Sequence, residues 1–263
     1  MVVEECSLSN DITWELRTVE ELHVAETQAM FNLMLQCYDN VQEETFSRDL
    51  ADKHWVLILR SIATGDIVGF STQKLRELEI EGMAYSILFS GDTVVNRKYW
   101  GKRELLLASA CLVDELMQRA QGEKFFWFLI SKGYKTYHFL PVLFREFYPS
   151  KDYPTPRSAK RVIDYLGSEL GGELYDVSTG VIKSQGGWYV LKQDIAEMTT
   201  LRTKDPHAQF FVQCNPGFGR GDELCCLAEL NKSNYTNVAM RLLRNYKPSN
   251  NNAGTPETYE RSV

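Results

Sequence analysis

The sequence predicts an α/β fold, a central sheet with helices packed on it, and three observations carry that prediction. Strand-like and helix-like segments follow one another from residue 12 in the order strand, two helices, three strands, helix. Residues 55–60 and 67–72 are apolar, β-branched runs joined by Ala63-Thr64-Gly65-Asp66, the signature of a hairpin. Lys124-Phe125-Phe126-Trp127-Phe128-Leu129-Ile130 is dense enough in apolar side chains to be a central buried strand.

The elements follow from local pattern. Residues 12–19 alternate as a first strand. A helix beginning near Thr18 or Glu20 carries Leu22, Ala25, Met30, Phe31, Leu33, Met34 and Leu35 to about Tyr38. That Met and aromatic stripe reads as core, with the wall of a lipid pocket as the alternative. Residues 45–53 form a short second helix with Phe46 and Leu50 inward. Residues 75–81 either prolong the second hairpin strand or form a loop.

Composition narrows the function. The chain has 263 residues, 44% hydrophobic and 24% charged, with a net charge of −6. A general nucleic-acid-binding surface is disfavoured by that balance. No run approaches the roughly 18 apolar residues of a membrane span. The acidic start, Met1-Val2-Val3-Glu4-Glu5, lacks the regions of a signal peptide, so a cytoplasmic location is expected. Six cysteines show no CxxC spacing and the histidines lie far from them in sequence, which favours reduced thiols and no metal.

The most informative stretch is 86–120. An apolar strand, interrupted by Ser90-Gly91-Asp92, runs to Val95 and meets the basic turn Asn96-Arg97-Lys98-Tyr99-Trp100-Gly101-Lys102-Arg103. A helix follows with Leu105, Leu106, Ala108, Cys111, Leu112, Leu116 and Met117 on one face. Its first N–H groups lack internal partners and its dipole is positive there, so the turn is built to hold an anion. The acidic balance of the whole chain makes this a local site for a small anionic ligand or an acidic carrier protein. An ordinary basic surface turn is the plain alternative.

Strand, turn and helix resemble motif A of the GNAT superfamily of acyl-CoA-dependent N-acyltransferases, whose pattern Gln/Arg-x-x-Gly-x-Gly/Ala wraps the coenzyme A pyrophosphate. The matching positions are Lys98-Tyr99-Trp100-Gly101-Lys102-Arg103, with Gly101 on the first glycine, Lys98 replacing Gln or Arg, and Arg103 replacing the second glycine. The resemblance implies a GNAT-like mixed, mostly antiparallel central sheet flanked by helices. It implies coenzyme A contacts from Lys98, Gly101, Lys102 and Arg103 and from the backbone N–H groups of Thr93, Val94 and Val95. It also implies that strand 124–130 splays away from the motif strand and leaves a V-shaped gap for a thioester. The family's thiolate-protonating tyrosine falls on Phe144, with Tyr134, Tyr137 and Tyr148 as substitutes.

Beyond residue 150 the resemblance thins. Thr155-Pro156 starts a helix over 158–170 that Gly171-Gly172 stops. Residues 180–182 read as a short strand, Gly186-Gly187 as a turn, 210–214 as a strand, 215–222 as a tight loop and 224–230 as a strand pairing back. Residues 231–245 form a terminal helix. The expected organisation is a GNAT-like core over 1–150, an extension over 151–248 completing the sheet and acceptor pocket, and a loose tail over 249–263.

Acyl transfer from a thioester to an amine needs an uncharged amine, a polarised carbonyl and a proton for the thiolate. Asp92, three residues before Val95, is the first candidate base; the alternative is a β-bulge whose Asp bonds its own backbone. Ser90 is expected on the same face. His138 is the second candidate, because imidazole titrates near neutrality, with a structural hydrogen-bonder as the alternative. Tyr137 is a candidate for the thiolate. Glu223 and Asp222 bind an acceptor ammonium or are solvated turn residues. The expected function is an acyltransferase using acyl-CoA or an acyl carrier protein thioester, with an amine-bearing small molecule or peptide as acceptor. Its rival is a non-catalytic module that binds an acylated ligand or a protein partner.

Overall fold

The computed structural model describes residues 11–119, 124–185, 189–200 and 205–245. The Gly186-Gly187 turn and the tail over 249–263 lie outside the described residues. The chain runs β1 (Ile12–Thr18), α1 (Val24–Cys37), β2 (Tyr38–Asp39), α2 (Glu43–Ala51), β3 (Trp55–Ser61), β4 (Ile67–Ile80), β5 (Met83–Val95), α3 (Glu104–Arg119) and β6 (Lys124–Ser131). It continues with α4 (Tyr134–Tyr137), α5 (Phe139–Leu143), α6 (Arg157–Gly171), β7 (Tyr175–Asp176), β8 (Val181–Ile182) and β9 (Val190–Leu191). The last elements are α7 (Gln193–Thr200), α8 (Pro206–Cys214), β10 (Glu223–Glu229) and α9 (Asn237–Asn245).

Among the described residues, eight strands form one sheet in the order β1-β3-β4-β5-β6-β10-β8-β7, and β2 pairs separately with β9. Every neighbour in the large sheet is antiparallel except β5 and β6, which are parallel. This is a mixed, mostly antiparallel sheet flanked by helices. Period-two alternation divides its side chains between two cores. Trp55, Leu57, Leu59, Leu88, Trp127 and Leu129 pack with α3 on one face. On the other, Val56, Ile58 and Phe70 pack with α1 and α2, while Ile87, Phe126 and Phe128 pack with α6. The all-apolar β6 is thus buried on both sides, and emptying a position such as Phe128 would cost about 3–5 kcal/mol.

Four expectations from sequence are corrected. The first helix starts at Val24, because Glu21 folds back onto the Thr18 N–H and Glu26 onto the His23 N–H, which caps a separate 3-10 turn and then the helix. Residues 210–214 are the end of helix α8, not a strand. Asp205 accepts from the His207 N–H at 2.9 Å and Pro206 takes the first helical position, so capping chemistry decides a short apolar run that fits either period. β10 therefore pairs with β6 and β8. The helical spacing over 137–147 breaks into α4 and α5, and Phe144 is already extended three residues past Pro141. The terminal helix is preceded by a 3-10 turn over Lys232–Asn234 and starts at Asn237. Residues 75–80 prolong β4.

Candidate active site

A fork in the sheet creates the site. β5 and β6 pair from Tyr85–Lys124 to Ser90–Leu129 and then part, although β5 runs on to Val95. The cause is a bulge. On the other side of β5, Ser90 pairs with Gln73 and Thr93 with Ser71, so Gly91 and Asp92 stand opposite Thr72 alone. One extra residue bends the strand and raises its twist. Gly91 is required there: a Cβ would lie 2.7 Å from Thr72 Oγ1 and 2.9 Å from Lys53 Cε.

The root of the fork is pinned by a buried polar chain. Trp127 Nε1 donates to Ser90 Oγ at 2.7 Å, Ser90 Oγ to Gln73 Oε1 at 2.6 Å, and Gln73 Nε2 to Ser71 Oγ at 2.8 Å. Ser71 and Thr93 share a further hydroxyl bond of 2.7 Å. Ser90 therefore belongs with Trp127 on the α3 face and does not sit beside Asp92, because the bulge shifts the alternation between them.

Past the bulge, the Asn96 N–H bonds to the Val68 carbonyl of β4 at 2.8 Å. Alternation then turns the Val94 N–H toward β4 and the N–H groups of Thr93 and Val95 into the opened gap. The gap leads into a cavity of about 1440 Å³ lined by residues 91–95, the 99–103 turn, α2, the chain after β6, and residues 189–195. That exceeds the usual size of a small-ligand pocket, roughly 300–1,000 Å³.

On one wall, the basic turn is held in place by Trp100, whose indole N–H donates to the Val95 carbonyl at 2.8 Å. Gly101 has φ +86° with nothing near the place of a Cβ, so glycine serves the backbone conformation there. Gly101, Lys102 and Arg103 line the cavity and lead into the first turn of α3, whose N–H groups have no acceptor within the helix. Lys98 does not line it: its ammonium lies 5.4 Å from the centre of the Tyr99 ring and the residue is exposed. Lys102 is paired with Asp11 at 2.8 Å and Arg97 with Asp194. The cations of the turn are thus partly engaged, and backbone N–H groups remain the site's donors.

The opposite wall carries buried charge. Asp92 lines the cavity and accepts a hydrogen bond from the Tyr189 hydroxyl at 2.8 Å. Burial, reinforced by the negative charge of Asp49, pushes its carboxyl from an ordinary value of 3.8 up to about 6, against the Tyr189 bond and the charges of Lys132 and Lys53. Lys132 pairs with Glu223 at 2.7 Å, both nearly buried, and its ammonium sits 3.9 Å from the centre of the Tyr189 ring. Glu223 and Asp222 are therefore not solvated turn residues. Lys53, buried beside Gly91, is held by the Asp49 side chain at 2.7 Å and its carbonyl at 2.8 Å. No motif or period in the sequence singles out Lys53, Lys132 or Tyr189 for the site; a lysine close behind an all-apolar strand is the one local signal.

His138 also lines the cavity, and its Nδ1 lies 2.8 Å from the Tyr134 hydroxyl. Tyr137 does not line it. Its hydroxyl donates to the Pro149 carbonyl at 3.0 Å, and its ring is buried among Phe147, Phe210 and Phe211. Phe144 is likewise core, packed against Trp127 and Tyr235. Among the described residues no helix is long and apolar enough to cross a membrane, and no group of three or more His, Cys, Asp or Glu is placed to hold a metal.

No protein-family model matches the chain, and no curated protein matches it. Among solved structures it is similar to a probable N-acyltransferase from Enterococcus faecalis, at 14% identity and a TM-score of 0.38 over 52% of this chain and 33% of that one. It is similar to the Saccharomyces cerevisiae N-myristoyltransferase with bound myristoyl-CoA, at 14% identity and a TM-score of 0.39 over 48% of this chain and 30% of that one. A GNAT family N-acetyltransferase from Escherichia coli in complex with CoA matches at 10% identity and a TM-score of 0.37, over 51% of this chain and 71% of that one. The chain thus spans about a third of the first two. The order of its elements, the bulged motif strand and the parallel pair that forks beside it give this chain a GNAT-like architecture.

Proposed function

We propose that this protein is an N-acyltransferase that moves an acyl group from the thioester of acyl-CoA, or of a carrier-protein pantetheine, to an amine. The observation that carries the reading is the fork itself, a gap into which strand N–H groups turn and which joins a helix N-terminus on one wall to the half-buried Asp92 carboxyl on the other. A pantetheine arm is an extended, amide-bearing chain, and the N–H groups of Thr93 and Val95 present the ladder it would bond. The first turn of α3, with Gly101 and Arg103, suits a pyrophosphate.

Asp92 is the base. With its carboxyl at about 6 it is mostly ionised near neutral pH, yet basic enough to take a proton from a bound ammonium. The freed amine attacks the thioester carbon, the N–C bond forms, the C–S bond breaks, and the second proton of the nitrogen passes to water as the amide forms. Holding both reactants in the gap makes a covalent enzyme intermediate unnecessary. The departing thiolate takes its proton from His138 in its charged form.

Native mass spectrometry against acyl-CoAs from acetyl to palmitoyl tests the donor site, and thiol release with a panel of amines tests turnover. Retained adducts with thiol release support the reading. Binding without release would favour a non-catalytic module. Failure of every CoA to bind at millimolar concentration would remove the coenzyme, and a carrier-protein donor would be assayed next.

A further inference from the structure

His138 is one end of a hydrogen-bonded chain that the reaction as described above does not use. Its Nδ1 lies 2.8 Å from the Tyr134 hydroxyl, and that hydroxyl bonds to the Asp205 carboxylate. Tyr134 is fully buried at the start of α4, and its ring packs on Tyr137 and Phe211. Asp205 is the cap of α8 and also accepts from the His207 N–H. The chain thus links two helices, and the cavity meets only its His138 end.

Proton counting orders it. Burial works against the charge of Asp205, but the Tyr134 hydroxyl and the N–H groups of His207 and Ala208 outweigh burial and hold the carboxyl below its usual range. An ionised carboxylate only accepts, so the single Tyr134 proton goes to Asp205. The Tyr134 oxygen then accepts, and His138 must donate Nδ1–H to it. From these directions we infer that Tyr134 and Asp205 are positioning residues that keep a proton on His138 Nδ1, so that the proton His138 exchanges with substrate is the one on Nε2. When the thiolate sulfur takes the Nε2 proton, the imidazole is left as the neutral Nδ1–H tautomer, the less common form of a free histidine side chain. This role rests on the acyl-transfer reading above.

The test combines ¹⁵N NMR of the imidazole in the full chain with kinetics of Tyr134→Phe and Asp205→Asn. Phenylalanine keeps the ring that packs on Phe211, and asparagine still caps α8. On the alkaline side of its titration, wild-type His138 is expected to show the Nδ1–H pattern, and Tyr134→Phe the Nε2–H pattern. The kcat of Tyr134→Phe should fall about tenfold or more with donor binding unchanged, and Asp205→Asn should fall less. A wild-type Nε2–H tautomer, or one unmoved by Tyr134→Phe, would overturn the inference. So would a tautomer switch with kcat intact. A wild type with the Nδ1–H pattern but no turnover would sink the acyl-transfer reading, and this role with it, while leaving the hydrogen-bonded chain standing.

Discussion

The two walls of the fork treat charge in opposite ways. The 97–103 turn is rich in cations, yet Lys98, Lys102 and Arg103 are exposed, Lys102 and Arg97 are already paired, and Lys98 points away from the cavity. The bulge wall holds fewer charges, but Lys53, Lys132 and Glu223 are buried, Asp92 is half-buried beside them, and the four interact with one another. Exposed charge is screened and contributes little at any one position, whereas buried charge is strongly coupled. The strongly coupled charge therefore lies on the wall where the sequence is plainer.

Asp92→Asn attacks that contrast hardest. It should lower turnover by about a hundredfold or more while leaving acyl-CoA binding within error, read by thiol release and native mass spectrometry. Wild-type kcat/KM should rise with pH through an apparent pKa of about 6, and the variant should lose that rise. A variant with full activity would move the base elsewhere.

Next in size is Gly91→Ala, whose new Cβ meets Thr72 Oγ1 at 2.7 Å and Lys53 Cε at 2.9 Å. Denaturant melts should show a loss of about 1–3 kcal/mol. A neutral result would mean that the bulge relaxes at no cost.

The same Asp92→Asn protein should also be more stable than wild type near neutrality, by about 1–2 kcal/mol. The carboxyl's folded value is raised, from 3.8 to about 6, so the folded state favours the protonated form. Ionising it costs stability, fully so above about pH 6, and the cost vanishes as pH falls to the ordinary carboxylate value. The stability gain should shrink over that window; a gain independent of pH would show that burial of this charge is not its source.

The smallest effects sharpen the comparison from the other wall. Arg103→Ala should weaken donor binding several-fold, with an effect that fades as salt rises. Lys98→Ala should change it by less than about twofold. Equal, large losses at both positions would mean that the turn binds by net charge rather than by geometry.

How legible these features were depends on how local their causes are. The β3–β4 hairpin, the motif strand and α3 announce themselves in period and turn residues, because alternation and spacing are set within a few positions. Asp92 was visible as a carboxylate in an otherwise apolar strand, and the bulge as the Ser-Gly-Asp break. The bulge is there as expected, although Asp92 bonds Tyr189 rather than its own backbone. Lys132 with Glu223 and Asp92 with Tyr189 were not legible as pairs, because the fold alone brings them together across 91 and 97 positions of sequence. Lys98 misled for the complementary reason. Charge is written in the sequence, but the direction of a long exposed side chain is not.

The polar chain from Trp127 to Thr93 has one further consequence. It rivets three strands where two of them part, so the crotch of the fork is a fixed floor, unable to zip upward or slide downward without stranding a buried donor or acceptor. A thioester threaded against β5 would then come to rest at a depth set by the protein. Short and long acyl groups would present their carbonyl carbons at the same height, and any measure of chain length would have to be taken beyond the floor, in the part of the cavity that lies past it.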